Sequence, residues 1–333
     1  MRNTKFHNGS ISKFKFLITG GAGFIGSNIV EYLLKHNAGF VRVVDNLSNG
    51  KYSNLESFFQ YKERFEFIHG DISDLEICKK AVKGIDFISH QAALGSVPRS
   101  IKDPISSNNA NISGFLNMLV AAKDSDCLKK MAYAASSSTY GDSKISPKVE
   151  GYEGKPLSPY AVTKLVNELY AETFSKVYNF HTIGLRYFNV FGPKQDPKNP
   201  YAAVIPLFVT AALKKERPKI YGDGTTSRDF TYIENVVQAN IKAMFSDNKL
   251  IKHEVINIAC GHKTTLIEIW NLLKIMEGID IKPIYMKERA GDIKLSIANI
   301  EKAEKLIEYK PEVFFKEGIK YTLDALKEKM LLS

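Results

Sequence analysis

The stretch Phe16-Leu-Ile-Thr-Gly20-Gly-Ala-Gly23-Phe-Ile-Gly26 joins an apolar run to three glycines that are spaced three residues apart. The apolar run predicts a strand, and the residues from Ser27 to His36 predict a helix. In such a turn the first glycine permits a tight bend, the second leaves room for a phosphate, and the third lets the helix pack closely on the strand. The positive end of the helix dipole would face the anion. The stretch therefore predicts a dinucleotide site.

An acidic residue follows the next apolar run at the position where a nucleotide ribose is expected. The run from Phe40 to Val44 ends in Asp45, about 20 residues beyond the glycines. A carboxylate there can accept both ribose hydroxyls of an adenosine, and it repels a 2′-phosphate. Because tight turns also use glycine, the glycines alone are weak evidence, and Asp45 strengthens them. The sequence predicts NAD rather than NADP as cofactor.

The bulk composition is that of an ordinary globular enzyme. The chain has 333 residues, of which 44% are hydrophobic and 25% charged, and this length predicts about two domains. Residues 1–15 are polar and lack the apolar run of a signal peptide, so we expect a short flexible tail. No segment reaches the roughly 18 apolar residues of a membrane span. We expect a cytoplasmic enzyme without a membrane partner.

The net charge of +10 would suit nucleic acid or any anionic ligand. The lysines are scattered, however, and no basic block with interleaved aromatic residues occurs, so we expect an anion-binding enzyme with no nucleic-acid partner. The three cysteines are far apart and odd in number, which argues against a disulfide framework and gives no metal-ligand spacing. No metal is expected.

Strand candidates alternate with helical stretches through the first half of the chain, which predicts an α/β fold with a Rossmann-type, doubly wound parallel sheet. The six candidates are Phe14 to Thr19, Val41 to Asp45, Phe65 to Gly70, Phe87 to His90, Met131 to Ala135 and Thr182 to Arg186. Such sheets bind ligands at the carboxyl ends of their strands. Polar or small clusters lie at these ends: Gly70-Asp71-Ile72, Gln91-Ala92-Ala93, Ser136-Ser137-Ser138 and Asn189.

The pattern loosens beyond residue 190 and predicts a second, smaller domain. We expect an NAD-binding Rossmann domain over 16–190, to which the chain returns around 236–258. Residues 191–235 and 259–333 would form the smaller α/β domain that covers the substrate.

The segment Tyr160-Ala-Val-Thr-Lys164 places a phenol and an ammonium on one face of a helix that begins after Pro159. A nearby cation lowers the pKa of a phenol, so Tyr160 can serve as a base toward a hydroxyl. The spacing alone is weak evidence, because Tyr140 with Lys144 is a second match. Tyr140 lies in a turn of the chain. On the helix at Tyr160, an apolar stripe lies on the side opposite Tyr160 and Lys164 and leaves this pair free to face a cleft, which favours Tyr160. The stripe consists of Val162, Leu165, Val166 and Leu169.

The order of these motifs resembles the extended short-chain dehydrogenase/reductase family, and the resemblance covers nearly the whole chain. Within that family the sequence is most similar to nucleotide-sugar 4-epimerases, particularly the bacterial UDP-N-acetylglucosamine 4-epimerases. The matching segments are Gly95-Ser-Val-Pro-Arg-Ser100, Ser136-Ser-Ser-Thr-Tyr-Gly141, Ser158-Pro-Tyr-Ala-Val-Thr-Lys164 and Ser227-Arg-Asp-Phe-Thr-Tyr-Ile233.

The resemblance implies a reaction in which Tyr160 deprotonates the C4 hydroxyl of a UDP-sugar while hydride passes to NAD. The 4-keto sugar then turns over in the pocket, and hydride returns to its other face. Ser136 would bond the C4 oxygen, although Ser137 and Ser138 leave that assignment open. Related dehydratases carry an acid pair at this position, so we rank them, and the decarboxylases, below an epimerase. The implied cofactor-binding residues are Gly20, Gly23, Phe24, Ile25, Gly26, Asp45, Asn46, Asp71, Ile72, Gln91, Ala92, Ala93, Tyr160 and Lys164.

The resemblance also implies a substrate site. Arg228 and Arg289, the latter with Asp292, resemble the family's diphosphate clamp, and guanidinium groups suit a diphosphate. Ser296 stands where the family has a gate at the sugar C2 substituent. Since Ser296 is small, the pocket would admit an N-acetyl group. The remaining implied substrate residues are Gly95, Ser96, Ser136, Ser137, Asn189, Gln195, Ala203, Val204 and Tyr221.

Three interpretations of the protein's function remain open on sequence alone. The leading one is a UDP-N-acetylhexosamine 4-epimerase, and the second is the same chemistry on a UDP-uronic acid or UDP-glucose. The third is a catalytically silent NAD-binding regulator, which the presence of both Tyr160 and Lys164 disfavours. The resemblance implies a homodimer, for which the stripe on the Tyr160 helix would suit either the dimer surface or a buried sheet face.

Overall fold

The structure is a computed structural model that describes residues 4–197, 202–246, 252–288 and 294–331. Two of the implied substrate residues, Arg289 and Asp292, lie outside the described residues. The strands are β1 (Lys15–Thr19), β2 (Phe40–Asp45), β3 (Phe65–His69), β4 (Phe87–His90), β5 (Lys130–Ser136), β6 (Thr182–Tyr187), β7 (Val190–Phe191), β8 (Lys219–Tyr221), β9 (Ser227–Asp229), β10 (Thr231–Tyr232), β11 (His253–Ile258), β12 (Lys263–Thr265), β13 (Ile284–Met286) and β14 (Leu295–Ser296). The helices are α1 (Phe24–Lys35), α2 (Leu75–Val82), α3 (Val97–Lys102), α4 (Pro104–Asn108), α5 (Gly114–Lys123), α6 (Pro159–Tyr178), α7 (Val204–Leu213), α8 (Ile233–Phe245), α9 (Leu266–Glu277), α10 (Glu301–Ile307) and α11 (Phe315–Leu331).

Seven parallel strands form the central sheet in the order β11-β6-β5-β4-β1-β2-β3. The prediction of a doubly wound parallel sheet is confirmed, and β11 adds a seventh strand. Helix α1 begins at Phe24, three residues before the predicted start.

The central strands are buried on both faces because helices cover both. In β1, Phe16 and Ile18 join a core with α1 and α8, whereas Leu17 joins a second core with α2, α5 and α6. This alternation is the period of two expected of a strand. Parallel sheets of this kind leave the carboxyl ends of the strands free for a ligand.

The smaller elements gather beside the carboxyl end of the sheet. Strands β12, β9 and β14 form a three-stranded sheet, and β13 pairs with β8. Helices α7 and α9 pack on each other through Phe208 and Trp270, whose ring centroids lie 6.1 Å apart.

The prediction of a flexible tail over 1–15 is wrong for residues 4–14. Phe6 stacks on Tyr32 of α1 with ring centroids 5.3 Å apart, and the Phe6 N–H donates to Tyr32 Oη at 2.7 Å. Ile11 is buried, and its carbonyl accepts the N–H groups of Phe14 and Gly39. Phe6 and Ile11 anchor this mostly polar segment to the core, since their burial offsets the loss of chain entropy.

The apolar stripe of α6 lies on the surface. Val162 and Leu169 are exposed, and Leu165 and Val166 are half-buried. Among the described helices, none combines the length and the apolar character needed to cross a membrane.

Candidate active site

The turn between β1 and α1 has no room for side chains at its glycines. Gly20 has φ +66°, and a Cβ there would lie 2.7 Å from the Ala92 nitrogen. A Cβ at Gly26 would lie 2.3 Å from the Gly20 oxygen. At Gly23, the N-cap of α1, a Cβ would meet that same oxygen at 3.1 Å. The fit of this turn to a diphosphate therefore depends on these glycines.

The N-terminus of α1 is open to an anion. Among the described residues, no side chain caps it, and its first turn carries no acid. Its positive dipole and its first N–H groups are therefore available to a phosphate.

A cleft of about 330 Å³ opens beside this turn. Nine of the implied cofactor residues line it: Gly20, Gly23, Asp45, Asn46, Asp71, Ile72, Gln91, Ala92 and Ala93. Gly70, from the predicted cluster Gly70-Asp71-Ile72, also lines the cleft. Sequence reasoning missed a further group of lining residues: Val44, Ser48, Asn49, Gly50, Ser73, Leu94, Ser106, Asn109 and Ala110. Residues 48–50 belong to the loop that begins after Asp45, and that nearness in sequence could have indicated them. Residues 106–110 carry no local signal, because tertiary packing brings α4 and its following turn to the cleft.

Two carboxylates give the cleft a negative end. Asp45 Oδ2 accepts the Ala22 N–H at 3.0 Å, and its Oδ1 accepts the Leu47 N–H at 2.8 Å. Burial raises the pKa of Asp45, while these backbone hydrogen bonds oppose the rise. Asp71 Oδ2 accepts from the Asn46 amide at 2.7 Å. The Gly23 N–H also bonds the Asp45 carboxylate, so about one of its four lone-pair sites is left for a ribose hydroxyl, and a 2′-phosphate would meet negative charge.

The side chain of Gln91 is held inside the protein. Its Nε2 donates to Ser89 Oγ and to Asn240 Oδ1, both at 3.0 Å. Its Oε1 accepts from Tyr187 Oη at 3.1 Å. Gln91 therefore lies at the cleft with its amide already bonded, and its backbone is the part left to meet a cofactor.

Helix α6 positions the phenol and the ammonium. Ser158 caps the helix by accepting the Ala161 N–H at 3.1 Å, and the Tyr160 N–H donates to Ser100 Oγ at 3.0 Å. Lys164 Nζ donates to the Ala134 carbonyl at 2.8 Å and lies 6.0 Å from the centroid of the Tyr160 ring. The predicted pair is thus brought together at the carboxyl end of β5.

Burial governs the titration of this pair. It lowers the pKa of Lys164 to about 8, against the opposing charge of Glu168. Burial also raises the pKa of Tyr160, and a hydrogen bond with Ser136 opposes that rise. The sequence predicted a lowered pKa for Tyr160 from the neighbouring cation. In the structure, loss of solvent on burial raises it instead.

Ser136 is the member of the serine run that hydrogen-bonds Tyr160. Its Oγ also accepts the N–H of Ser138 at 3.2 Å and the hydroxyl of Ser138 at 2.9 Å. Because these two donors fill the acceptor sites of the Ser136 oxygen, the Ser136 proton is what bonds Tyr160, and the same proton could bond a substrate oxygen placed there, which supports its implied role. Ser137 begins the 3₁₀ turn that follows.

The competing Tyr140 lies in the core. Its hydroxyl donates to Asn257 Oδ1 at 2.7 Å, and the Arg186 guanidinium lies 4.8 Å from the ring centroid. Its side chain is 2% exposed, so it cannot reach a substrate in the cleft. Its partner in the motif, Lys144, is exposed on the following loop.

The three-stranded sheet aligns two of the implied substrate residues. Arg228 of β9 is the register partner of Ser296 in the parallel β14, and of Thr264 in the antiparallel β12. Register partners project to the same face of a sheet, so these three side chains form one row.

The next residue, Asp229, holds the opposite face of this sheet together. Its buried carboxylate accepts the N–H groups of Cys260, Gly261 and Ala298 at 2.9, 3.0 and 3.3 Å. Burial raises its pKa to about 6 despite these bonds. The Asn189 amide donates to the Asp229 carbonyl at 3.0 Å, which fixes Asn189 beside the same strand.

Gln195 lies on a loop that is tied to the nucleotide-binding half. Lys194 Nζ pairs with Glu31 of α1 at 2.6 Å, and Asp196 pairs with Lys51, beyond β2, also at 2.6 Å. These ion pairs bring Gln195 to the α1 side of the molecule. Other implied substrate residues lie at the ends of small elements: Gly95 and Ser96 before α3, Ala203 and Val204 at the start of α7, and Tyr221 at the end of β8.

Comparison with known proteins decides the family. The model of the NAD dependent epimerase/dehydratase family matches residues 16–259. A putative UDP-glucose 4-epimerase of Methanocaldococcus jannaschii is 35% identical over 312 residues, which are 93% of this chain and 98% of that protein. The chain belongs to the NAD dependent epimerase/dehydratase family. The prediction of NAD as cofactor is confirmed at the level of this family.

Two solved structures of epimerases resemble this family member over nearly their whole length. The UDP-N-acetylglucosamine 4-epimerase from Methanobrevibacter ruminantium M1, in complex with UDP-N-acetylmuramic acid, is 40% identical with a TM-score of 0.88, covering 95% of this chain and 99% of that one. The UDP-glucuronic acid 4-epimerase from Bacillus cereus, in complex with UDP-glucuronic acid and NAD, is 32% identical with a TM-score of 0.87 and the same coverage.

Proposed function

We propose that the protein interconverts UDP-N-acetylglucosamine and UDP-N-acetylgalactosamine by NAD-dependent epimerisation at C4. The names of its relatives support UDP-sugar 4-epimerisation. The preference for acetylated sugars rests on one observation, the small side chain of Ser296 in the same row as Arg228. A serine there leaves space beside a bound sugar that a bulky residue would fill.

The residues near Tyr160 suit proton transfer at a sugar hydroxyl. Tyr160 takes the proton from the C4 hydroxyl, and Ser136, which hydrogen-bonds Tyr160, donates to the same oxygen. Lys164, fixed on the Ala134 carbonyl, supplies the positive charge that stabilises the phenolate. The cleft beside the glycine turn would hold NAD, which would supply the acceptor and donor of the C4 hydride. Serines at 136–138 cannot provide the acid and base that a dehydration needs near neutral pH.

The smaller elements bind the nucleotide and let the sugar turn. Arg228 is half-buried beside Ser296 and holds the diphosphate, together with Arg289 and Asp292, which lie outside the described residues. Residues 191–235 and 259–333 form this substrate domain. The intervening residues 236–258 belong with the NAD-binding domain of 16–190. Tyr221 and the start of α7 border the uridine and sugar.

The same small residue is compatible with a second substrate class. Ser296 does not exclude a UDP-sugar without an acetamido group, and the Bacillus cereus UDP-glucuronic acid 4-epimerase shares the fold. A UDP-uronic acid or UDP-glucose is therefore the alternative substrate.

We also propose a homodimer that forms through α6. The exposed side chains of Val162 and Leu169, with Leu165 and Val166 beside them, give this helix an apolar outer face. A matching helix of a second copy would cover that face.

Purified protein incubated separately with UDP-N-acetylglucosamine, UDP-glucose and UDP-glucuronic acid tests the substrate preference. We expect the 4-epimer of the acetylated sugar to form with the highest kcat/KM, without added reductant. A higher kcat/KM for either other substrate would replace the proposed substrate, and no epimer from any of them would refute the proposed reaction.

A further inference from the structure

A buried ion-pair cluster lies behind the proposed catalytic pair. Arg186 on β6 donates to Glu168 on α6 through two parallel bonds, Nε to Oε1 at 2.9 Å and Nη2 to Oε2 at 2.7 Å. Its Nη1 donates to Glu153. Arg186 is 4% exposed and Glu168 6% exposed, so both charges lie in the protein interior. Such a bidentate pair is rigid, and removal of one member would leave an uncompensated charge.

The cluster is joined to Lys164 by the helix itself. Lys164 and Glu168 are four residues apart on α6, and residues at this spacing face the same side. On the sheet, the register partner of Arg186 is Ala135, which directly follows the Ala134 carbonyl that Lys164 bonds. The Lys164 ammonium thus bonds the Ala134 carbonyl of β5, and the Glu168 carboxylate bonds the Arg186 side chain at the next register position of β6.

The formal charges of the cluster sum to zero when the Lys164 ammonium is included with Arg186, Glu168 and Glu153. Arg186 carries one positive charge and contacts two carboxylates, Glu168 and Glu153. The cluster by itself therefore has a net charge of −1, and the Lys164 ammonium neutralises it. Lys164 and Glu168 are 2% and 6% exposed, so solvent does little to compensate these two charges, whereas Glu153, with 24% of its side chain exposed, is partly solvated.

We propose that Glu168 is a positioning residue of the epimerase site, which holds Lys164 protonated and directed at the Ala134 carbonyl through a negative charge fixed by Arg186. This proposal rests on the roles proposed above for Tyr160 and Lys164. Burial lowers the pKa of Lys164 to about 8, and Glu168 opposes the lowering. Among the described residues, the other titratable or charged groups around this ammonium and its carboxylate are Tyr160 on α6, His90 on β4, Tyr133 on β5, and Arg186 with Glu153 beyond Glu168.

The test is the pH profile of kcat for Glu168→Gln. The amide keeps an oxygen for Arg186 but removes the negative charge, so the pKa of Lys164 falls further. If Lys164 must be protonated, activity is then lost at lower pH as the solution becomes alkaline. We expect the alkaline limb to move down by about 1 pH unit, which is about a tenfold loss of rate on that limb.

A matched control lies one turn further along the same helix. Glu172 pairs with Lys176 at the surface, with 45% of its side chain exposed, so Glu172→Gln removes the same charge without touching the cluster. Its profile should coincide with that of the wild type. An unmoved alkaline limb in Glu168→Gln, or an equal shift in Glu172→Gln, would overturn the proposal.

A second variant covers the case in which Glu168→Gln does not fold. Glu168→Asp keeps the charge and shortens the side chain, so kcat falls while the alkaline limb stays at its wild-type pH. A shift of that limb would contradict the proposal. Tyr160→Phe separates this result from failure of the catalytic assignment: a fully active Tyr160→Phe refutes the assignment, whereas an inactive one with an unmoved Glu168→Gln profile refutes the role of Glu168 alone.

Discussion

Ser296 and Arg228 are register partners in the parallel pairing of β14 with β9, so the proposed sugar gate and the proposed diphosphate clamp share one face of one small sheet. A larger side chain at residue 296 would therefore reduce the space beside the proposed substrate, while β9, which carries Arg228, keeps its sequence.

Ser296→Tyr tests the gate. A tyrosine should exclude the acetamido group by steric overlap, and we expect kcat/KM for UDP-N-acetylglucosamine to fall by about 100-fold or more. Turnover of UDP-glucose, measured in the same assay, should change little. Ser296→Ala is the matched control and should retain both activities. Equal rates on the acetylated sugar for Ser296→Tyr and wild type would refute the gate.

The two tyrosines with a lysine four residues on are expected to behave differently. Tyr160→Phe removes the proposed base and should lower kcat by about 10³-fold, with NAD binding retained. Tyr140→Phe loses the hydrogen bond to Asn257 Oδ1 and leaves that buried acceptor with one donor fewer, so it should cost about 1 kcal/mol of stability with little effect on kcat. Steady-state kinetics and urea unfolding of both variants make the comparison. The opposite pattern would move the active site to Tyr140.

Asp45→Ala tests the basis of cofactor choice. Loss of the carboxylate removes both the acceptor for the ribose hydroxyls and the charge that repels a 2′-phosphate. Affinity for NAD should fall by about tenfold or more while affinity for NADP rises, as measured by calorimetry on protein stripped of nucleotide. Asp124→Asn, at the exposed C-cap of α5, removes an equal charge outside the residues that line the cleft and should leave the preference unchanged. An unaltered NAD-to-NADP ratio for Asp45→Ala would contradict the assignment.

His90 should make the fold sensitive to acid. It is 2% exposed, and burial, with the charge of Lys164, lowers its pKa to about 3. The unfolded chain binds the proton near the ordinary pKa of about 6.5, so stability is present above that pH and is lost as the pH falls toward 3. Between pH 7 and pH 4.5 the loss attributable to His90 is on the order of 2–3 kcal/mol.

Urea unfolding of wild type and His90→Gln at several pH values checks this effect. The variant should start less stable at pH 7, because Thr19 Oγ1 lies 3.0 Å from the histidine Nδ1 and loses that partner. Its stability should then fall less steeply with acid than that of the wild type. Parallel curves would show that His90 does not titrate as proposed.

The sequence predicted the elements whose signals are local. The six strand candidates are short apolar runs, because a strand buried on both faces of a sheet is apolar along its whole length. The observed strands begin and end within about two residues of the predicted ones. The phosphate-binding turn and Asp45 were likewise predicted, because the glycines of the turn lie close together in sequence and Asp45 directly follows an apolar strand. Helical periodicity favoured Tyr160 over Tyr140 by placing the apolar stripe opposite the Tyr160 and Lys164 pair, but in the structure that stripe lies on the surface and Lys164 is buried.

Features that depend on packing between distant segments were not predicted. Glu168 and Arg186 are 18 residues apart and meet because α6 lies on β6. Ser106 and Asn109 reach the cleft from a helix and turn without a recognisable motif. Phe6 and Ile11 anchor a segment whose composition indicated a tail. The raised pKa of Tyr160 follows from burial, which no spacing of residues reveals.

The central claim is that hydride leaves C4 and returns to the same carbon. Incubation with UDP-N-acetylglucosamine carrying deuterium at C4, followed by NMR of the product, tests it most directly. The account predicts UDP-N-acetylgalactosamine with the deuterium still at C4 and no net formation of NADH. Epimer that has lost the deuterium to solvent would contradict an internal hydride cycle, and with it the roles proposed for NAD and Tyr160.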